Sequence, residues 1–172
     1  MVVRFNHGIT MNSLNQLIDE IAVILKQKNW QLVTAESCTG GLVASSLTEI
    51  PGSSVWFERG FVTYSNLAKE EMLSVPKQAL KDYGAVSEPV AAAMATGALQ
   101  HSAGQVAVSI TGIAGPDGGS IEKPVGMVCF GWAVQGMGVK TLKKQFAGTR
   151  QEIRLASCQE ALSGVLSLIQ KK

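Results

Sequence analysis

The chain has 172 residues, of which 46% are hydrophobic and only 16% charged, with a formal net charge of +2. That is the size and composition of one globular domain able to bury its core without disulfides or metals, and it excludes a disordered segment. Lys and Arg are scattered in runs of at most two, which excludes a phosphate-tracking stripe for nucleic acid, and no apolar stretch or basic-then-apolar amino terminus marks a membrane span or signal peptide.

In chain order, residues 1–11 read as a flexible N-terminal tail and 12–172 as the domain. Leu14, Leu17, Ile18, Ile21, Ala22 and Leu25 recur at helical spacing and predict a helix over 12–29, opened by Ser13 with Gln16 three residues on, a capping-box pattern. A strand at 31–35 and a helix over about 40–49 follow, then a turn at Pro51-Gly52-Ser53-Ser54. Residues 57–65 suit a strand, with two short helices behind it, the second starting near Pro76 as a first-turn proline. Ser87-Glu88-Pro89 opens a helix running to Leu99, whose alanines permit close packing on a sheet. Strands are expected at 106–110, 125–134 and 139–146, the last two antiparallel across Gly136. The final helix, 150–169, turns Ile153, Ala156, Leu162, Val165 and Ile169 inward. This alternation predicts an α/β fold, a three-layer α/β/α sandwich on a mixed sheet in a single domain.

The chemistry concentrates where strands hand over to helices. Thr34-Ala35-Glu36-Ser37-Cys38-Thr39-Gly40-Gly41 follows one apolar run and leads into a helix, so a strand end places Ser37. The free N–H groups of the next helix can hold an anion or an oxyanion there, although Ser and Thr also serve as ordinary helix caps. A second segment, Gly60-Phe61-Val62-Thr63-Tyr64-Ser65-Asn66, ends one helical turn before Lys69. Lysine can act as a base once burial or a positive neighbour lowers its pKa; a solvated helix lysine is the alternative. A third, Ser109 to Gly119, runs from a buried strand into a glycine-rich loop whose N–H groups can surround an oxyanion or phosphate.

Elimination narrows the choice. The only histidines are His7 in the expected tail and His101 at a helix end, so neither a Ser-His-Asp triad nor a His-ligated metal site is expected. Neither glycine-rich segment has the Walker A or dinucleotide spacing. A nucleophile here needs a base other than histidine, and lysine is the main remaining candidate. Cys38, Cys129 and Cys158 are odd in number and widely spaced, which points to a reducing cytoplasm; Cys38 lacks a histidine partner and is read as packing on the sheet.

With Gly84-Ala85-Val86-Ser87-Glu88-Pro89 and Lys123-Pro124-Val125-Gly126, these segments make five ordered motifs between about 12 and 169. Together they resemble the C-terminal amidase domain of the CinA (competence/damage-inducible) family. Its longer members carry an additional N-terminal domain for which this chain has no room, so the resemblance is to the stand-alone form, a nicotinamide mononucleotide deamidase. The resemblance implies hydrolysis of the carboxamide of nicotinamide mononucleotide to nicotinic acid mononucleotide and ammonia, through a serine and lysine pair, with no metal and no cofactor. Carried over residue by residue, the serine is Ser37 and the lysine Lys69. Tyr64 is the candidate for passing or steadying a proton beside them, with a core tyrosine as the alternative.

The nucleotide substrate also needs contacts for its phosphate and ribose. Candidates are Thr39, Gly40 and Gly41 at a helix start, Thr111, Gly112 and Gly115 in the glycine-rich loop, and Arg150, whose guanidinium can grip a phosphate in a bidentate fork. A catalytically inactive nucleotide-binding member and an amidase for another pyridine nucleotide amide remain open as alternatives. No nucleic acid or membrane partner is expected. Trp56 and Phe57 beside a polar turn suggest a subunit interface, and a homo-oligomer, as a dimer, is the expectation.

Overall fold

The computed structural model describes residues 11–170. Apart from Met11, the expected tail lies outside the described residues. Helix α1 spans Met11–Lys28, strand β1 Leu32–Glu36 and helix α2 Leu42–Thr48; a 3₁₀ turn at Ser53–Val55 leads into strand β2, Phe57–Val62. Helices α3 (Asn66–Leu73), α4 (Lys77–Tyr83) and α5 (Glu88–Gln100) come next, then strands β3 (Val106–Gly112), β4 (Met127–Val134) and β5 (Gly138–Gln145), and helix α6 (Arg150–Ile169).

The strands form one sheet in the order β2-β1-β3-β4-β5. β2, β1 and β3 run parallel, and β4 and β5 antiparallel to their neighbours. The period-2 alternation of the central strands builds two cores. Leu32, Val106, Val108 and Ile110 pack with Ile18, Leu25, Leu47 and Leu162 of α1, α2 and α6 on one face. Val33, Ala35 and Ala107 meet Leu73, Leu80, Val90 and Met94 of α3, α4 and α5 on the other. The three-layer α/β/α expectation therefore holds.

Small residues set the spacing of the second layer. Gly131 of β4 lies so close to α5 that an added Cβ would stand 2.5 Å from the Ala91 carbonyl oxygen, to which Ser109 Oγ donates a 2.6 Å hydrogen bond. The alanines of α5 do pack directly on the sheet.

Several local expectations shift. Ser13 falls inside α1 and not at its cap, since Met11 and Asn12 before it are already helical. Pro76 is the N-cap of α4, one residue outside its first turn. Ala156 is only half-buried; Leu155 and Cys158 take the inward positions beside it. Trp56 is fully buried in its own chain and Phe57 half-buried, so this apolar pair is used inside the fold and does not form the exposed surface on which the dimer expectation rested. β5 is exposed along its whole length, and Lys140, Lys143 and Lys144 on this open edge disfavour pairing with another strand.

Candidate active site

The parallel register brings the carboxyl ends of β1, β2 and β3 to one edge of the sheet, where clefts form in folds of this kind. Past the strands the ladder continues for one more residue: Ser37 N–H donates to the Ile110 carbonyl at 2.9 Å, and Thr63 N–H to the Glu36 carbonyl at 2.8 Å. Ser37 and Thr63 are thus held side by side before either chain segment turns away.

Helix α3 supplies the partner. Its N-cap, Ser65, accepts a hydrogen bond from Ala68 N–H at 3.0 Å, which fixes the first turn and aims Lys69 back toward β1. Lys69 Nζ lies 3.0 Å from Ser37 Oγ, donates to the Thr63 carbonyl at 2.8 Å, and lies 3.5 Å from the Tyr64 carbonyl. Lys69 is 1% exposed and Ser37 8%. The solvated-lysine alternative is therefore wrong for this residue. No carboxylate is among the partners of Nζ. Burial, opposed by the nearby Cys38, lowers the Lys69 ammonium from 10.5 to about 8.

That shift links the site to stability. The unfolded chain keeps Lys69 protonated up to about pH 10.5, whereas the folded protein releases the proton near pH 8. Below pH 8 both states carry it and the full penalty of roughly 3 kcal/mol is present; between pH 8 and 10.5 the unfolded state binds more protons, so the penalty is relieved as pH rises. Urea unfolding of wild type and Lys69→Met across that range should show wild type gaining about 3 kcal/mol relative to the variant. A difference that stays constant with pH would mean that Lys69 remains charged in its site.

Cys38 follows Ser37 in sequence and also lines the cleft. Burial pushes its thiol up to about 12, so it is protonated at neutral pH and packs among apolar side chains of the first core.

The cleft beside Ser37 and Lys69 has a volume of about 290 Å³ and is lined also by Tyr64, Asn66, Thr111, Gly112, Gly115, Asp117 and Arg150. Thr111 Oγ1 donates to the Ala85 carbonyl at 2.9 Å and so ties β3 to the loop before α5. Tyr64 is exposed, which removes the core-tyrosine alternative. Its hydroxyl bonds to Arg150 Nη2 at 3.1 Å, and the atom it turns toward Lys69 is its backbone carbonyl, so the hydroxyl's recorded partner is the arginine and not the pair. Arg150, at the start of α6 behind the Thr149–Glu152 capping box, also donates from Nη1 to the Gly115 carbonyl at 2.7 Å. The arginine therefore bridges the glycine-rich loop and the end of β2 across the mouth of the cleft.

Thr39, Gly40 and Gly41 are placed differently from the expectation. Thr39 is fully buried, its carbonyl accepts from Arg154 Nη2 at 2.7 Å, and none of the three lines the cleft. The N–H groups at the start of α2 are taken by Glu36: Gly41 and Val43 donate to Oε2 at 3.0 and 3.1 Å, and Ala44 to Oε1 at 2.8 Å. The anion at this helix start is thus the chain's own carboxylate. Sequence reading also missed Asn66 and Asp117 as lining residues. Both sit within motifs already singled out, but spacing alone does not tell which members of a loop face inward.

The profile of the CinA C-terminal domain matches residues 14–169. The nicotinamide-nucleotide amidohydrolase PncC of Enterobacter agglomerans is 54% identical over 153 residues, covering 89% of this chain and 93% of that protein. Its namesake from Escherichia coli K12 is 51% identical over 155 residues, covering 90% and 93%. A longer CinA-like protein of Akkermansia muciniphila is 50% identical over 148 residues, which is 86% of this chain but 36% of that protein. Among solved structures, the competence/damage inducible protein CihA from Agrobacterium tumefaciens superposes with a TM-score of 0.88 at 45% identity, covering 90% of this chain and 94% of that one. Similarity of this extent spans every element that builds the sheet and the cleft, and it makes this chain a member of the CinA C-terminal domain family.

Proposed function

We propose that this chain is a nicotinamide-nucleotide amidase, which hydrolyses the carboxamide of nicotinamide mononucleotide to a carboxylate and ammonia by a Ser/Lys mechanism without metal or cofactor. The observation that carries the reading is the 3.0 Å contact between Ser37 Oγ and a buried Lys69 with no carboxylate partner. The names of relatives above 50% identity supply the substrate class.

Neutral Lys69 takes the Ser37 proton as Oγ attacks the amide carbon. The resulting ammonium returns the proton to the leaving nitrogen, ammonia departs, and an acyl ester on Ser37 remains. Water then attacks that ester, with Lys69 again as base, releasing the nicotinic acid nucleotide and restoring the hydroxyl. Tyr64 and Arg150 lie at the mouth, where the remaining guanidinium N–H donors and the 115–118 loop meet the phosphate. Three unpaired, buried cysteines fit a cytoplasmic enzyme, and no helix among the described residues is long and apolar enough to cross a membrane.

The test is ammonia release from nicotinamide mononucleotide by the purified protein, with and without a metal chelator. Equal turnover in both supports the reading. Binding without ammonia would identify a nucleotide-binding member instead, and activity lost to the chelator and restored by zinc would overturn the mechanism.

The phosphate contact has its own prediction. Arg150→Ala should lower kcat/KM on the mononucleotide roughly ten- to a hundredfold and on nicotinamide riboside, which lacks the phosphate, hardly at all. Equal losses on both substrates would show that Arg150 acts only by holding the Gly115 carbonyl and Tyr64.

A further inference from the structure

Glu36 precedes the nucleophile and is fully buried. Burying a carboxylate is costly unless every lone pair finds a partner. Its partners here are three backbone N–H groups at 2.8 to 3.1 Å. The ion pairs among the described residues are Arg59–Glu58 and Lys144–Glu160, and neither involves it.

These bonds span a five-residue turn. Glu36 closes β1, its side chain reaches over Ser37, Cys38, Thr39 and Gly40, and it lands on Gly41 and the first turn of α2. Gly41, the residue at the cap of α2, offers no side chain for the purpose. Within the turn Gly40 N–H donates to the Ser37 carbonyl at 3.0 Å, and Gly40 and Gly41 both take positive φ, a conformation that leaves the segment few constraints of its own. Arg154 holds the Thr39 carbonyl in its middle, and the carboxylate ties its two ends together. It also keeps its charge on α2 and away from Lys69 Nζ, whose bonds go to the serine and two carbonyls; a carboxylate on that nitrogen would hold the proton there and remove the base.

We propose that Glu36 is the positioning residue of this site: by tying the end of β1 to the start of α2 it fixes the turn that presents Ser37 Oγ to Lys69, and so governs turnover and not substrate binding. This rests on reading Ser37 as the nucleophile. The near-isosteric Glu36→Gln keeps one acceptor oxygen but turns an NH₂ donor against an N–H group. A displacement of the nucleophile by a fraction of an ångström to 1 Å costs on the order of ten- to a hundredfold in rate.

The experiment uses the full chain, well below its melting temperature, with two readouts: kcat and KM for nicotinamide mononucleotide, and the rate at which a serine-directed fluorophosphonate labels Ser37. In Glu36→Gln, kcat and the labelling rate should fall together by at least about tenfold while KM stays within about twofold. Glu36→Asp, which keeps both oxygens but retracts them by one methylene, should lie between wild type and Glu36→Gln, and it carries the test if Glu36→Gln does not fold. A folded variant with an unchanged labelling rate, or a loss confined to KM, overturns the proposal. Should wild type label at Ser37 without releasing ammonia, the substrate assignment fails while the Glu36 comparison still reads out. Absence of labelling in wild type overturns the nucleophile reading and this inference with it.

Discussion

Ser37→Ala should lose roughly 10³-fold or more of its turnover on nicotinamide mononucleotide, because in the mechanism proposed above the substitution removes the nucleophile and leaves only binding and oxyanion stabilisation. The substitution deletes a hydroxyl that bonds Lys69 and contributes little packing, so folding and substrate affinity should be nearly intact. Circular dichroism and equilibrium binding of the mononucleotide check the two parts separately. A variant that keeps a wild-type rate would remove Ser37 from the mechanism, and one that loses binding in proportion to rate would make the hydroxyl a substrate contact.

Lys69→Arg should be almost as damaging, for a different reason. Arginine keeps the positive charge but stays protonated at any working pH, so it cannot accept the Ser37 proton. In wild type the base form of Lys69 grows as pH rises, and because burial has brought the group down to about 8, kcat/KM should climb about tenfold per unit below pH 8 and level off above it. Lys69→Arg should show no such rise in any residual activity. If the arginine variant stayed active with the wild-type profile, Lys69 would be an electrostatic anchor and the base would lie elsewhere. The site itself contains no histidine to take over: His101, the one histidine among the described residues, is exposed and bonds Ser74.

Both predictions depend on the lysine being buried, and the local sequence does not say so. The stretch Asn66–Leu73 reads as a weakly amphipathic surface helix in which Lys69 resembles any solvated lysine. Its place one turn after Tyr64-Ser65-Asn66 and the lack of a usable histidine made it a candidate base, and the resemblance to the CinA family set it above the solvated alternative. The fold then shows the cause of its burial, with β1 and the Thr63 carbonyl closing over the ammonium.

What the sequence by itself determined is what repeats locally. The 3.6-residue period of α1 and α6, the short apolar runs of β1 and β3, the turn at Gly136 and the Ser87-Glu88-Pro89 start of α5 are written in neighbouring residues, and these elements appear within a residue or two of where the patterns place them. The two strand-to-helix transitions after β1 and β2, and the strand-to-loop transition after β3, were legible for the same reason. What only the tertiary structure decided is which of those transitions meet, and with which atoms. Ser37 and Lys69 are 32 residues apart, and Tyr64 and Arg150 86; β2, β1 and β3 run parallel and β5, two antiparallel steps from β3, runs the same way, so all these segments leave the sheet at one edge. The same geometry reassigned the start of α2, whose N–H groups looked free for a phosphate until the Glu36 side chain folded back onto them. A hydrogen-bond donor is free only if nothing nearer reaches it, and that depends on distances in the folded chain, which the spacing of residues along the sequence does not contain.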